Sequence, residues 1–242
     1  MARIHLALQG KGGVGKSLIS SMLAQHFTEV GRQLRCVDTD PVNATFSQYQ
    51  ALGVTHISIL DGNRVNERHF DQLMELLLTD TTTEEWVIDN GASSFIPLSS
   101  YLVENQGIEM LQEAGHEVVI HTVITGGQGL RDTLTGFKSL ATQLPGEAGI
   151  VVWLNEYFGP IQADGRSFEQ MKVYTENKSR VRGIVTLRQQ NRDTFGRDVE
   201  DMLNARQTVE EAIGSNKVAL MAKQRLQTFR RGLWQQLAVV MG

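Results

Sequence analysis

One cysteine, Cys36, stands in the 242 residues of this chain. A lone cysteine excludes an internal disulfide and a cysteine-based zinc site, and it points to a reducing, cytoplasmic setting. Prolines number only four and are scattered. With no internal repeat and no low-complexity tract, no linker is evident, and one domain over 1–242 is expected. No apolar run approaches the roughly 20 residues that span a bilayer. The opening stretch, MARIHLALQGKGG, lacks the long apolar segment of a secretory leader. The six histidines show no H-E-x-x-H or other metal-ligand spacing. His5, His116 and His121 fall within or beside predicted strands, where hydrogen-bonded core or edge histidines are expected. There is no G-x-S-x-G elbow and no Cys-His pair with local support. A net charge of −4 gives no overall basic excess for nucleic acid.

What is present is an alternation of two patterns. Short apolar, β-branched runs occur at 3–9, 34–38, 84–91, 117–125, 149–155 and 183–187. Such continuous runs suit parallel strands buried on both faces. Between them lie helical patterns at 17–30, 69–79, 98–114, 129–144, 166–181 and 198–213. In the first of these, Ile19, Met22, Leu23, Phe27 and Val30 share a face, and Gly31 follows as a stop. The alternation predicts βαβ units, hence an α/β fold with a mostly parallel sheet flanked by helices.

The sharpest signal is Gly10-Lys11-Gly12-Gly13-Val14-Gly15-Lys16-Ser17, followed by Leu18. It matches G-x-x-x-x-G-K-[ST] and lies between a predicted strand and a predicted helix, as a phosphate loop requires. Glycines let backbone N–H groups close around phosphate oxygens, and the helix N-terminus adds its positive end. Lys16 is placed to reach the β- and γ-phosphates, and Ser17 to hold Mg²⁺. Asp38-Thr39-Asp40-Pro41 follows the second strand, and Asp89 ends the strand WVID. Carboxylates at strand ends point toward the ligand crevice of an α/β sheet. Asp89 fits the acidic group that ends the second nucleotide-binding strand and holds a Mg²⁺-bound water. The following Asn90-Gly91-Ala92-Ser93-Ser94 departs from the usual D-x-P or D-x-x-G continuation.

The second lysine of the loop, Lys11, gives KGGVGKS, which resembles the deviant phosphate loop of the ParA- and MinD-like ATPases. DTDPVNATF, VIDNGASSF, VVWLN and further stretches between residues 9 and about 203 resemble one branch of that family, the TraL-type (StbB-like) proteins of conjugative plasmids. The resemblance implies a P-loop domain of the SIMIBI type, ATP or ADP with Mg²⁺ as ligands, and slow hydrolysis in a molecular switch. It implies a face-to-face homodimer in the ATP state, in which Lys11 reaches the partner's nucleotide. By the same resemblance Asp40 positions the attacking water and Asp38 is an outer partner of a Mg²⁺ water. Asn155, without the N-K-x-D of guanine-specific relatives, faces adenine. The implied setting is plasmid transfer, stability or positioning, with non-specific DNA and plasmid proteins as partners. Negligible hydrolysis, in a nucleotide-dependent binding module, is the alternative. One cysteine per chain excludes the shared iron–sulfur cluster of the related nitrogenase iron protein. Leu187-Arg188-Gln189 stands where many ParA-like chains carry a proline near adenine.

Charge is unevenly spread. From residue 213 onward there is no Asp or Glu, and five cations (Lys217, Lys223, Arg225, Arg230, Arg231) put +5 on a tail and −9 on the rest. Leu226, Phe229, Leu233, Leu237 and Val240 recur at helical spacing, with Trp234 alongside, so a basic amphipathic helix is expected at about 217–240. Two readings are open: docking of its apolar face on the domain, or an interfacial membrane helix as in MinD. A second cluster, Lys178, Arg180, Arg182, Arg188, Arg192 and Arg197, reads either as a solvated face or as a non-specific DNA surface.

Overall fold

The computed structural model describes residues 1–62 and 64–242. The chain runs β1 (Arg3–Ala7), α1 (Lys16–Glu29), β2 (Leu34–Asp38), β3 (Thr55–His56), β4 (Leu60–Asp61), β5 (Arg64–Val65) and α2 (His69–Thr79). It continues with β6 (Glu85–Asp89), α3 (Phe95–Glu104), α4 (Gly107–Glu113), β7 (Glu117–Thr125), α5 (Leu130–Gln143) and β8 (Gly149–Asn155). Then follow β9 (Gln162–Ala163), β10 (Arg166–Ser167), α6 (Lys172–Asn177), β11 (Val181–Leu187), α7 (Phe195–Asn204), α8 (Val209–Gly214) and α9 (Leu220–Met241). Seven strands form one sheet in the order β11-β8-β7-β1-β6-β2-β3, and every neighbouring pair is parallel.

Side-chain alternation along the strands sorts the core into two layers. Ile4, Leu6, Trp86, Ile88, Ile120 and Ile150 face the layer covered by α2 to α5. Ala7, Cys36, Val87, Val123, Val151 and Trp153 face the layer covered by α1 and α7 to α9. Both faces of β7 are therefore dry, which is why its sequence is a continuous β-branched run. The buried Cys36 thiol is pushed up to about 12 by desolvation and stays protonated. Between β1 and its neighbours lies a buried polar chain. The Trp153 Nε1–H donates to His121 Nδ1 at 2.9 Å, which leaves the His121 proton on Nε2, facing His5 Nδ1 at 2.9 Å. His5 Nε2 then meets Glu85 at 3.0 Å, and Arg3 pairs with the same carboxylate. Burial lowers the pKa of both histidines.

Three expected helices are broken. The pattern at 98–114 is two helices, because Gln106 turns left-handed (φ 50°) and Gly107 packs where a Cβ would sit 3.0 Å from Leu102. The pattern at 198–213 divides at Arg206 (φ 53°), and Thr208 starts α8 through a capping box with Glu211. Only 172–177 of the stretch at 166–181 is α-helical; β10 and a 3-10 turn precede it.

α9 docks on the sheet. Leu226, Leu233, Leu237 and Met241 are buried, and Val240 lies so close to β11 that a Cβ on Gly183 would meet it at 2.7 Å. Arg225 pairs with Asp198, Arg230 with Glu210 and Glu29, and the Trp234 Nε1–H donates to Glu29 at 2.8 Å. The acidic body thus neutralises part of the basic tail. Among the described residues no helix is long and apolar enough to cross a membrane.

Candidate nucleotide site

β1, β2, β6 and β8 end at one edge of the sheet, and there the motif residues meet. The loop from Gly10 to Gly15 joins β1 to α1, with Gly13 and Gly15 left-handed (φ 72° and 108°). Gly15 is also hemmed in, since a Cβ there would lie 3.0 Å from Asn155 Nδ2. Asn155 Nδ2 donates to the Val14 carbonyl at 2.9 Å, and Oδ1 accepts from the Tyr157 N–H at 3.2 Å. The Asn155 amide therefore braces the loop as well as facing the adjoining cavity.

Lys16, at the first position of α1, is only 8% exposed and donates to the Lys11 carbonyl at 3.3 Å. Burial lowers its pKa, while Asp89 and Asp40 oppose that shift. Asp89 and Asp38 are register partners at the ends of β6 and β2, and both are fully buried. Burial pushes Asp89 up to about 7, with the neighbouring Asp38 charge adding to the rise; hydrogen bonds from Ser17 and Ser20 resist it. A carboxylate so destabilised, next to a serine hydroxyl, suits a hard cation held through oxygen ligands and water. No group of three or more His, Cys, Asp or Glu side chains that could hold a metal exists among the described residues. The oxygen donors present fit a Mg²⁺ that keeps most of its waters and leans on substrate phosphates.

Asp38 also braces the segment that follows it. Its Oδ1 accepts from the Asp40 N–H (2.9 Å) and its Oδ2 from the N–H and hydroxyl of Ser47 (2.8 and 3.0 Å). It holds the 40–47 segment in place. Asp40 Oδ1 in turn accepts from the Val42 and Asn43 N–H groups (2.9 and 3.3 Å). A cavity of about 460 Å³ is lined by Gly12, Lys16, Ser17, Asp40, Ser93 and Arg206 among others. A second, of about 620 Å³, is lined by Asn155, Tyr157, Phe158, Leu187, Arg188 and Arg192 among others. Gly13, Gly15, Leu18 and Leu203 line both, so the smaller cavity beside Lys16 and Asp40 adjoins the larger one beside Asn155 along the phosphate loop.

The CobQ/CobB/MinD/ParA nucleotide binding domain matches residues 6–221. The chain belongs to that family. Over 237 residues, 98% of each chain, it is 54% identical to one Protein TraL of Escherichia coli and 49% identical to another. Its fold is similar to MinD of Aquifex aeolicus (14% identity, TM-score 0.52, 97% of this chain and 98% of that one). It is also similar to a plasmid partition protein of Borrelia burgdorferi B31 bound to AMPPNP (15% identity, TM-score 0.51, 99% of both chains).

In this ParA/MinD-type site Lys11 is a surface group, 44% exposed at its side chain, and it pairs with Asp132 on α5 at 2.8 Å. An exposed pair of this kind contributes about 0–1 kcal/mol, so it holds Lys11 only loosely. Gly10 precedes Lys11 in the loop, and a Cβ there would lie 3.0 Å from the Phe95 ring.

Residues that motif reading passes over complete the site. Thr39 donates its N–H to the Asp89 carbonyl (2.8 Å), and its hydroxyl lies 3.1 Å from Asn90 Oδ1. The Ser94 hydroxyl donates to the same Asn90 oxygen at 2.9 Å. Asn90 thereby ties the Asp40 segment to the start of α3. Gly91 allows the close approach: a Cβ on it would sit 2.6 Å from Asp40 Oδ1 and 2.9 Å from Pro41 Cδ. The sequence signal was the unusual D-N-G-A-S-S run itself.

The second basic cluster comes apart. Arg180 donates to four carbonyls (Ala141, Leu144, Pro145, Ala148) and caps the end of α5. Arg182 pairs with Glu117, and Arg188 and Arg192 line the wider cavity. Lys178 and Arg197 have neither an ion pair nor a place in that cavity among the described residues.

Proposed function

We propose that this protein is an ATP-binding, slowly hydrolysing switch that dimerises around nucleotide and serves plasmid transfer, stability or positioning. One observation carries the reading. Lys16, Ser17 and Asp40 line a chamber that runs along the phosphate loop into a wider one beside Asn155. The part beside Lys16 and Ser17 suits a triphosphate and the larger part beside Asn155 a nucleoside. The AMPPNP in the similar partition protein supports an adenine nucleotide, and the likeness to TraL supports the plasmid setting.

In this reading the loop N–H groups and Lys16 neutralise the β- and γ-phosphates. Ser17 and Asp89, with Asp38 behind it, would hold Mg²⁺, which spreads phosphate charge. Asp40 orients the attacking water, and Asn90 and Thr39 keep Asp40 in place. Lys11 leaves Asp132 and reaches the partner's nucleotide, adding positive charge where the transferred phosphoryl group carries negative charge. Catalysis is by positioning and electrostatics, with no covalent intermediate on the protein.

Phosphate release with ATP and Mg²⁺ tests the enzyme. Lys16→Ala should abolish nucleotide binding and turnover together. Nucleotide binding with no phosphate release, alone or with DNA and plasmid proteins, would favour the binding-module alternative. The proposed location is cytoplasmic, and the buried apolar face of α9 favours docking over membrane contact.

A further inference from the structure

Helix α7 ends on a turn that its sequence makes costly. Arg206 follows the C-cap residue Ala205 with a left-handed backbone, φ 53°. Its N–H donates to the Leu203 carbonyl, and the Gln207 N–H reaches back to Met202, both at 3.1 Å. This pair of bonds closes a helix on a left-handed residue, and glycine takes that conformation at least cost. The chain instead keeps a long cationic side chain there.

The side chain is half-buried and turned toward the site. Its Nε donates to Gln48 Oε1 at 3.0 Å and one terminal nitrogen to the Leu203 carbonyl at 2.6 Å. The Tyr49 hydroxyl lies beside it. All three partners are neutral, and Arg206 has no carboxylate partner among the described residues. It lines the same chamber, of about 460 Å³, as Lys16, Ser17 and Asp40. A guanidinium with spare N–H groups and no counter-charge, set in the wall of the chamber that Lys16 and Ser17 line, is a ready anion ligand.

We infer that Arg206 is a second cation of this chamber, one outside the phosphate-loop motif: its guanidinium contacts the polyphosphate of the nucleotide held by its own chain. This rests on reading the chamber as a nucleotide site. The Gln48 bond gives the contact a consequence. Gln48 also donates to the Asn43 carbonyl at 3.4 Å, and its neighbour Ser47 hangs from Asp38. The 40–48 segment is thus suspended between Asp38 and Arg206, so polyphosphate at Arg206 bears directly on the segment that carries Asp40.

The test is calorimetric binding of ADP and a slowly hydrolysed ATP analogue at low and high salt, with unfolding of the unliganded protein measured alongside. Arg206→Gly removes the guanidinium and relieves the left-handed backbone, so the turn itself is spared. Its affinity for the analogue should fall by about tenfold or more, with a shallower salt dependence and little change in unfolding temperature. Arg206→Lys, which keeps a cation, should recover part of the loss. Wild-type affinity and salt dependence in Arg206→Gly would overturn the inference. An affinity loss matched by an equal loss of unliganded stability, and not relieved in Arg206→Lys, would make the residue a strut and also overturn it. Wild-type protein that binds neither nucleotide would strike the reading of the chamber itself. Loss of binding in Lys16→Ala, with wild-type binding intact, keeps the two failures apart.

Discussion

Replacing Gly91 by alanine adds one methyl group at the tightest point between the two acidic segments. That methyl would lie 2.6 Å from Asp40 Oδ1, 2.8 Å from Asp40 Cγ and 2.9 Å from Pro41 Cδ. None of these atoms can swing away alone. The Asp40 carboxylate is pinned by the N–H groups of Val42 and Asn43, and Pro41 is a ring. Ordinary contact begins near 3.4 Å, so the Asp40 segment must retreat by about 0.8 Å. Overpacking of this kind costs about 1–3 kcal/mol. In a chain of this size that lowers the unfolding temperature by about 2–12 °C. A positioning group misplaced by about 1 Å costs about 10²-fold in rate. ADP affinity should stay near wild type, because the loop and Lys16 are untouched. Thermal unfolding, ADP titration and phosphate release measure the three effects, with Gly146→Ala as the control, where a Cβ meets nothing within 4 Å. A Gly91→Ala protein with wild-type turnover and unfolding temperature would refute the argument that this contact holds Asp40.

Stability should fall on acidification below about pH 6.5. Burial lowers the pKa of His5 and His121, so in that range the unfolded chain takes up protons that the folded chain refuses; Asp89, raised to about 7, acts in the opposite sense, and the two histidines together outweigh it. Each histidine can contribute a slope of about 1.4 kcal/mol per pH unit until its folded pKa is reached; a urea midpoint constant from pH 7 to pH 5 would contradict this. Leu237→Ala, at a fully buried position of α9, should cost about 2–5 kcal/mol in urea unfolding, and an unchanged midpoint would mean that α9 does not dock. Anionic liposomes should not retain the wild-type protein in flotation, since that apolar face is already buried.

The strands β7 and β8 were legible to the residue, because burial on both faces leaves them as unbroken runs dominated by β-branched residues. The phosphate loop, Asp38, Asp40 and Asp89 were legible because strand-end carboxylates and a glycine loop sit in fixed order along the chain. The helix break at Arg206 was not, because no glycine or proline stands there, and Gly107 at the break after Gln106 lies inside an otherwise continuous helical pattern. The partners of Arg180 lie on α5 and the loop after it, more than 30 residues earlier, so its role in capping looked like one more charge in a basic cluster. Asn90, Gly91 and Arg206 gain their meaning only from the segments folded against them. Local pattern does not carry that information.

In the proposed switch, nucleotide closes two protomers face to face through Lys11. Sedimentation of wild type and Lys11→Ala, each with ADP and with a slowly hydrolysed ATP analogue, tests it most directly. Wild type should shift from monomer to dimer with the analogue and not with ADP, while Lys11→Ala binds the analogue and stays monomeric. A Lys11→Ala protein that dimerises as wild type does, or a wild type that stays monomeric when saturated with the analogue, would contradict it.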